Sequence, residues 1–185
     1  SILMALASYL ELLGQTITSV IGGSGRFKHT LSESSFDAWT RFYKQDENAP
    51  NAIVSYYAKG ALVAFGLDIA IRQLSADRLS LDDLMGELWR RHGRTEIGVQ
   101  ERSIEGVVSE LVGRSFDEFF ARYIYGTEEL PLTEWFAAVG VGFRLRPAAN
   151  VEDLGGNRAE APREPPGPAL GARYDTRPDG LRIAS

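Results

Sequence analysis

Six consecutive residues, Ser55-Tyr56-Tyr57-Ala58-Lys59-Gly60, combine side chains that could do chemistry. A phenol at the mouth of a helical core can donate a hydrogen bond to a developing oxyanion, and a preorganised donor of this kind is among the strongest catalytic devices. A tyrosine in a buried helix also has a plain role, packing its ring while the hydroxyl finds one partner. Other chemistries are poorly supplied. His29 and His92 are the only histidines and do not form an HExxH pair, so no two can face one metal from a single helix. No Gly-x-Ser-x-Gly elbow supports a serine triad. The neighbours Asp82/Asp83 and Glu128/Glu129 suit helix caps or solvent better than acid/base work.

The elements that must position this cluster follow from periodicity and punctuation. Residues 51–74 are apolar nearly all round, which predicts a core helix buried among others. Lys59, Asp68 and Arg72 interrupt it too often for a membrane span, and Asp68 and Arg72 are spaced to pair at i,i+4. Before it, Ile2, Leu3, Leu6, Tyr9, Leu10, Leu13 and Ile17 predict an amphipathic helix over about residues 2–21. Gly22, Gly23 and Gly25 should end it through a left-handed residue. They do not make a phosphate loop, because no strand precedes them and Gly-Lys-Ser/Thr is missing. Ser34 with Asp37 predicts a capped helix through Tyr43, its apolar face being Phe36, Trp39, Phe42 and Tyr43. Residues 44–50 read as a polar loop without the ligand series of an EF-hand.

Downstream, Ser80 and Asp83 sit at capping-box spacing before a helix over 80–93, with Leu81, Leu84, Met85, Leu88 and Trp89 as its core stripe. Ile104, Val107, Val108, Leu111 and Val112 mark another helix, ending at Gly113. Ser115 with Glu118 opens a third, carrying Phe116, Phe119, Phe120, Tyr123 and Ile124 and closed by Gly126. Pro131 suits the first turn of a short helix through Ala138. Val141, Phe143 and Leu145 alternate with Gly142, Arg144 and Arg146, which predicts a strand near 141–145. From Pro147 the chain turns rich in Pro, Gly, Ala and charge, and reads as linker or flexible loop. Pro178-Asp179-Gly180 is a turn signal for a terminal hairpin.

The chain has 185 residues, 44% hydrophobic and 24% charged, with a formal net charge of −5 and no cysteine. Disulfides, thiolate nucleophiles and cysteine-held metals are thereby excluded. The charge gives no case for nucleic acid or an anionic membrane, both of which call for clustered Lys and Arg. The opening residues lack a basic flank and a small-residue cleavage site, and they carry Glu11. A soluble protein is expected, with cytoplasm and periplasm both open. An opening inside an apolar helix suggests a piece of something longer.

The run LSESSFDAWTRFYKQDENAPNAIVSYYAKGALVAFGLDIAIR resembles the C-terminal helical part of the glycyl-aminopeptidase-like gluzincin metallopeptidases. Their wider superfamily shares a Tyr-x-Lys-Gly turn, matched here by Tyr57, Lys59 and Gly60. The resemblance continues through SLDDLMGELWRRHG, ELVGRSFDEFFARYIYGTEELPL and GVGFRLRP, covering about residues 5–147. LGARYDTRPDGLRIAS is similar to the opening strands of the PDZ domain that follows the catalytic domain in this family. The resemblance implies a zinc aminopeptidase that cleaves near a peptide N-terminus, with zinc held by HExxH and a later glutamate, all before Ser1. Tyr57 would then steady the tetrahedral oxyanion, Tyr56 is the adjacent alternative, and Lys59 and Gly60 support the turn.

The expectation is therefore an all-α bundle or curled superhelix over 1–147, with one short strand. Residues 148–185 would be linker and the truncated start of a PDZ-like domain. Lacking HExxH, the chain alone should bind no zinc and hydrolyse no peptide; its partners would be the missing N-terminal catalytic part and, in the parent enzyme, a peptide substrate. Two rivals stand beside this reading. A non-catalytic helical interaction module predicts an exposed apolar face. A stand-alone enzyme using carboxylates or serine predicts a deep pocket with converging polar groups.

Overall fold

The computed structural model describes residues 6–38, 54–148 and 153–156, together with the backbone of 173–177 and 180–184. The described helices are α1 (Leu6–Ile21), α2 (Leu31–Phe36), α3 (Tyr56–Ser75), α4 (Leu81–Leu88), α5 (Ser103–Val112), α6 (Asp117–Tyr123) and α7 (Leu132–Ala138). They form an all-α bundle organised around α3. On one side Leu62, Val63 and Ile69 of α3 meet Ile17 and Val20 of α1, Tyr123 of α6, and Leu132, Trp135 and Phe136 of α7. On the other, Leu67 and Ile71 meet Leu84 of α4, Val107 and Val108 of α5, Phe116 and Phe120. Both clusters draw on α3, so its lack of a polar stripe is a consequence of being packed from both sides. Leu62, Ile71 and Val108 are wholly buried, each burial being worth roughly 1.5–3 kcal/mol.

Small residues set the close contacts. A Cβ on Gly66 would come within 2.3 Å of the Trp135 ring, so the absence of a side chain lets α7 press its indole onto α3. That ring stacks against Phe119 at 6.1 Å and meets Tyr123 edge-on at 5.5 Å. Asp68 ties α3 to α4: its carboxylate accepts from Arg72 Nε at 2.8 Å and from the Leu81 N–H at 2.7 Å.

Several expectations need correction. The glycine run does follow the end of α1, but Gly22, Gly23 and Gly25 are not in the left-handed region. A 3-10 turn over Ser24–Phe27 takes the chain away instead. Arg26 Nη1 donates to the Ile21 and Gly23 carbonyls at 2.5 and 2.7 Å, satisfying the end of the helix. The cap of α2 is Thr30 with Glu33, about one helical turn earlier than the expected Ser34 with Asp37. Ser34 lies inside the helix, buried, and its hydroxyl donates to the Val54 carbonyl at 2.5 Å. Phe36 is exposed, whereas Trp39, Phe42, Tyr43, the polar loop over 44–50 and the expected start of the central helix at 51–53 lie outside the described residues.

In α4 the capping box is present, with Asp83 Oδ2 accepting the Ser80 N–H and O–H at 2.8 and 2.9 Å. Met85 and Trp89 are nevertheless exposed. The helix runs on into a π turn over Trp89–Gly93, where the Trp89 ring lies against Gly93. Gly113, at φ 73°, closes α5 as expected. Pro131 lies just before α7 and not within its first turn.

No strand forms at 141–145, and among the described residues no strand lies alongside to share hydrogen bonds. The alternation has another origin: Val141 and Phe143 fold back onto the core, Phe143 stacking on Phe136 at 5.3 Å, while Leu145 stays exposed. Residues 153–156 are not free linker. Arg146 Nη1 holds Asp153 at 2.5 Å, and Gly155 and Gly156, both at positive φ, press so closely on α1 that a Cβ on Gly14 would sit 2.6 Å from Gly156 Cα. The expected terminal hairpin is present as β1 (Arg173–Arg177) antiparallel to β2 (Gly180–Ala184), with Arg177 opposite Gly180.

Candidate functional site

The Tyr56–Gly60 cluster forms the head of α3. Ser55 is the N-cap, its hydroxyl accepting the Ala58 N–H at 3.3 Å, so the chain enters the helix at the tyrosine pair. The two rings lie 4.1 Å apart. Tyr57 is 61% exposed and Tyr56 half-buried. A phenol on the first turn of a 20-residue helix stands near its positive end, where developing negative charge is favoured. Gly60 approaches Leu31 of α2 at a distance a Cβ could tolerate, 3.8 Å.

Lys59 is placed quite differently. It is 2% exposed, and its Nζ has no hydrogen-bond partner among the described residues. Burial lowers its pKa from the ordinary lysine value, the charge of Glu129 pulls it back up, and Arg26 pushes it down. The side chain lines a small pocket of about 20 Å³ with Val20, Ile21, Arg26, Leu62, Leu130 and Leu132, rimmed by Thr127, Glu128 and Glu129. The acidic neighbours Glu128 and Glu129 are half-exposed and engaged: Glu129 accepts from Arg26 Nε at 2.8 Å and Glu128 from Arg122 Nε at 2.7 Å. Sequence reasoning passed over this pocket. Its one signal was a lysine at i−3 and i−4 from Leu62 and Val63 on an apolar helix.

The histidines are not brought together with a set of ligands. His29 is buried, with Nε2 3.9 Å from Asp37 Oδ2, and His92 belongs to the π turn after α4. Among the described residues no three His, Cys, Asp or Glu side chains converge. The described residues therefore offer no grouped donors of the kind a zinc ion takes. No described helix is long and apolar enough to cross a membrane.

Two comparisons bear on the class. Residues 1–63 match the model of the M61 glycyl aminopeptidase family. The chain is also similar to a crystal structure described as an aminopeptidase N family protein from Idiomarina loihiensis, at 37% identity and a TM-score of 0.86 over 97% of this chain. The chain spans 30% of that protein's length. Comparison with curated proteins gives no match. Both comparisons are to peptidases, and the chain is similar to part of each.

Proposed function

We propose that this chain is the C-terminal helical part of the catalytic domain of a zinc-dependent aminopeptidase of the gluzincin class, followed by the opening strands of a PDZ-like domain. It supplies a wall of the substrate cleft and, in Tyr57, a phenol that donates to the tetrahedral oxyanion formed when a peptide carbonyl near the substrate N-terminus is attacked. Tyr56 is the neighbouring alternative for that donor. The zinc ligands and the base belong to polypeptide outside this sequence.

The observation that carries the reading is the likeness of nearly the whole chain to one part of an aminopeptidase N family protein. The exposure of Tyr57 at the head of α3 supports it, since a donor sealed in the core could not reach a substrate. Leu6, Tyr9 and Leu12 leave one face of α1 exposed and apolar, as a surface packed against the rest of a catalytic domain would be. A non-catalytic helical interaction module draws on the same face. Hydrolysis of Gly-X amides separates the two. The chain alone is expected to show no turnover with zinc added, and an enzyme containing it to show turnover that a chelator abolishes. Zinc-dependent turnover by the chain alone would overturn the assignment of the ligands, and an inactive, zinc-free whole protein would favour the interaction module.

A further inference from the structure

The short helix α2 holds the head of α3, and one buried hydrogen bond carries much of that hold. Ser34 is 2% exposed and Val54 4%, and the Ser34 hydroxyl donates to the Val54 carbonyl at 2.5 Å. A helical serine commonly returns its hydroxyl to its own helix one turn back. Ser34 instead sends it across to a segment 20 positions on. Val54 stands one residue before the Ser55 cap. The α3 ladder opens at the Ser55 carbonyl, which accepts the Lys59 N–H at 2.9 Å, so the Val54 carbonyl lies outside the helix and takes its partner from another element. The helix that supplies this partner is itself anchored. Thr30 and Glu33 close a capping box at its start, and the Ser32 N–H donates to the Ile124 carbonyl at 3.1 Å. Leu31 packs against the core cluster and faces Gly60 on the first turn of α3.

We propose that Ser34 is a positioning residue for the Tyr57 hydroxyl: by holding the Val54 carbonyl it fixes the peptide that enters α3, and with it the direction in which the tyrosine pair leaves the helix. The peptide joining Val54 to Ser55 is planar, so a held carbonyl also fixes the Ser55 nitrogen. Ser55 turns the chain at φ −66° and ψ 114° and accepts the Ala58 N–H at 3.3 Å. Tyr56 and Tyr57 follow at once, their rings 4.1 Å apart. Tyr57 is 61% exposed, so packing grips little of its ring, and the backbone that carries it decides where the phenol stands. Without the Ser34 hydroxyl a buried carbonyl loses its donor, a state that native structures avoid, and the entering peptide turns toward other donors. The kinetic consequence rests on the reading of Tyr57 as the oxyanion donor, since such a group is effective only when aimed before the charge develops.

The chain has 7 tyrosines, so fluorotyrosine labelling gives a short fluorine NMR spectrum in which Tyr57→Phe assigns the Tyr57 signal. In Ser34→Ala that signal should shift or broaden, while the signal of Tyr9 on α1 keeps its place. An unmoved Tyr57 signal, or a change shared by all the tyrosines, overturns the proposal. Kinetics of Gly-X amide hydrolysis by the enzyme containing this chain give the second readout. Ser34→Ala should lower kcat by about tenfold with KM little changed, as a misaimed donor would. In the Tyr57→Phe background the same change should add less than about twofold, because a residue that acts through Tyr57 has nothing left to act on. A full additional loss there, or an unchanged kcat for Ser34→Ala where Tyr57→Phe loses activity, overturns the proposal. Full activity in Tyr57→Phe sinks the oxyanion reading instead, and the fluorine signal still decides the role of Ser34. Should Ser34→Ala not fold, Ser34→Cys, close in volume but a much weaker donor, reads the same way.

Discussion

Tyr57 and Lys59 are two residues apart at the head of α3 and face opposite ways: one is 61% exposed and the other 2%. Two steps of about 100° along a helix carry a side chain to the far side. The Tyr-x-Lys spacing therefore presents a phenol outward and an ammonium inward from a single turn. The outward group carries the proposed oxyanion contact, and the inward group carries an electrostatic cost that can be measured.

That cost predicts the behaviour of Lys59→Met. An apolar side chain of similar length removes the unpaired ammonium, and stability should rise by roughly 1–4 kcal/mol, the range seen when buried ionic groups are exchanged for apolar ones. Urea midpoints for the two proteins at pH 7 measure the difference.

The same group gives the pH dependence a definite sign. Burial holds the folded pKa of Lys59 below the ordinary lysine value of 10.5. Between the folded value and 10.5 the unfolded chain binds more protons than the folded one, so this contribution makes stability rise with pH across that window. Lys59→Met should lack the rise, and the gap between the two stability profiles should narrow as the pH rises toward 10.5. Burial also raises the phenol pKa of Tyr123 and Tyr125 above 10.0. Their stabilising contribution is lost only at higher pH, so measurements below that value isolate the lysine. Parallel profiles would contradict the assignment.

Gly66→Ala tests the α3–α7 contact. The new methyl would meet three atoms of the Trp135 ring at 2.3–2.5 Å, and that ring is pinned by Phe119 and Tyr123. Overpacking should cost about 1–3 kcal/mol, more than the gain of up to about 1 kcal/mol in helix propensity. Thermal unfolding should show a lower midpoint, and an unchanged or higher one would mean that the ring yields easily.

Ala76 closes α3 in the left-handed region at φ 52° and ψ 53°, where a Cβ is strained. Ala76→Gly should relieve that strain and stabilise the chain by about 0.5–1 kcal/mol, a usual return for improving a helix cap. Chemical denaturation would register it as a higher midpoint with an unchanged slope.

The fold was legible where signals are local. The apolar circumference of α3, the Ser80–Asp83 cap and the Gly113 stop each depend on residues within a few positions of one another, and each is present. The misses lie where distant partners decide. Ser34 looked like a cap, but Val54, twenty positions on, takes its hydroxyl. Val141 and Phe143 alternate like a strand because Phe136 and the core receive them. Trp89 is exposed with its ring against Gly93, in a π turn that no short-range spacing announced. At the site, the tyrosine pair was visible as a motif, whereas the pocket behind it needs Arg26 and Glu129, which lie 103 residues apart in sequence.

The most direct test of the central claim is steady-state hydrolysis of a Gly-X amide by the zinc-loaded enzyme containing this chain, compared with its Tyr57→Phe and Tyr56→Phe variants. Loss of an oxyanion donor should lower kcat by about 10²–10³-fold for Tyr57→Phe with little change in KM, while Tyr56→Phe stays close to the unaltered enzyme. A Tyr57→Phe enzyme that keeps its full kcat would contradict the account.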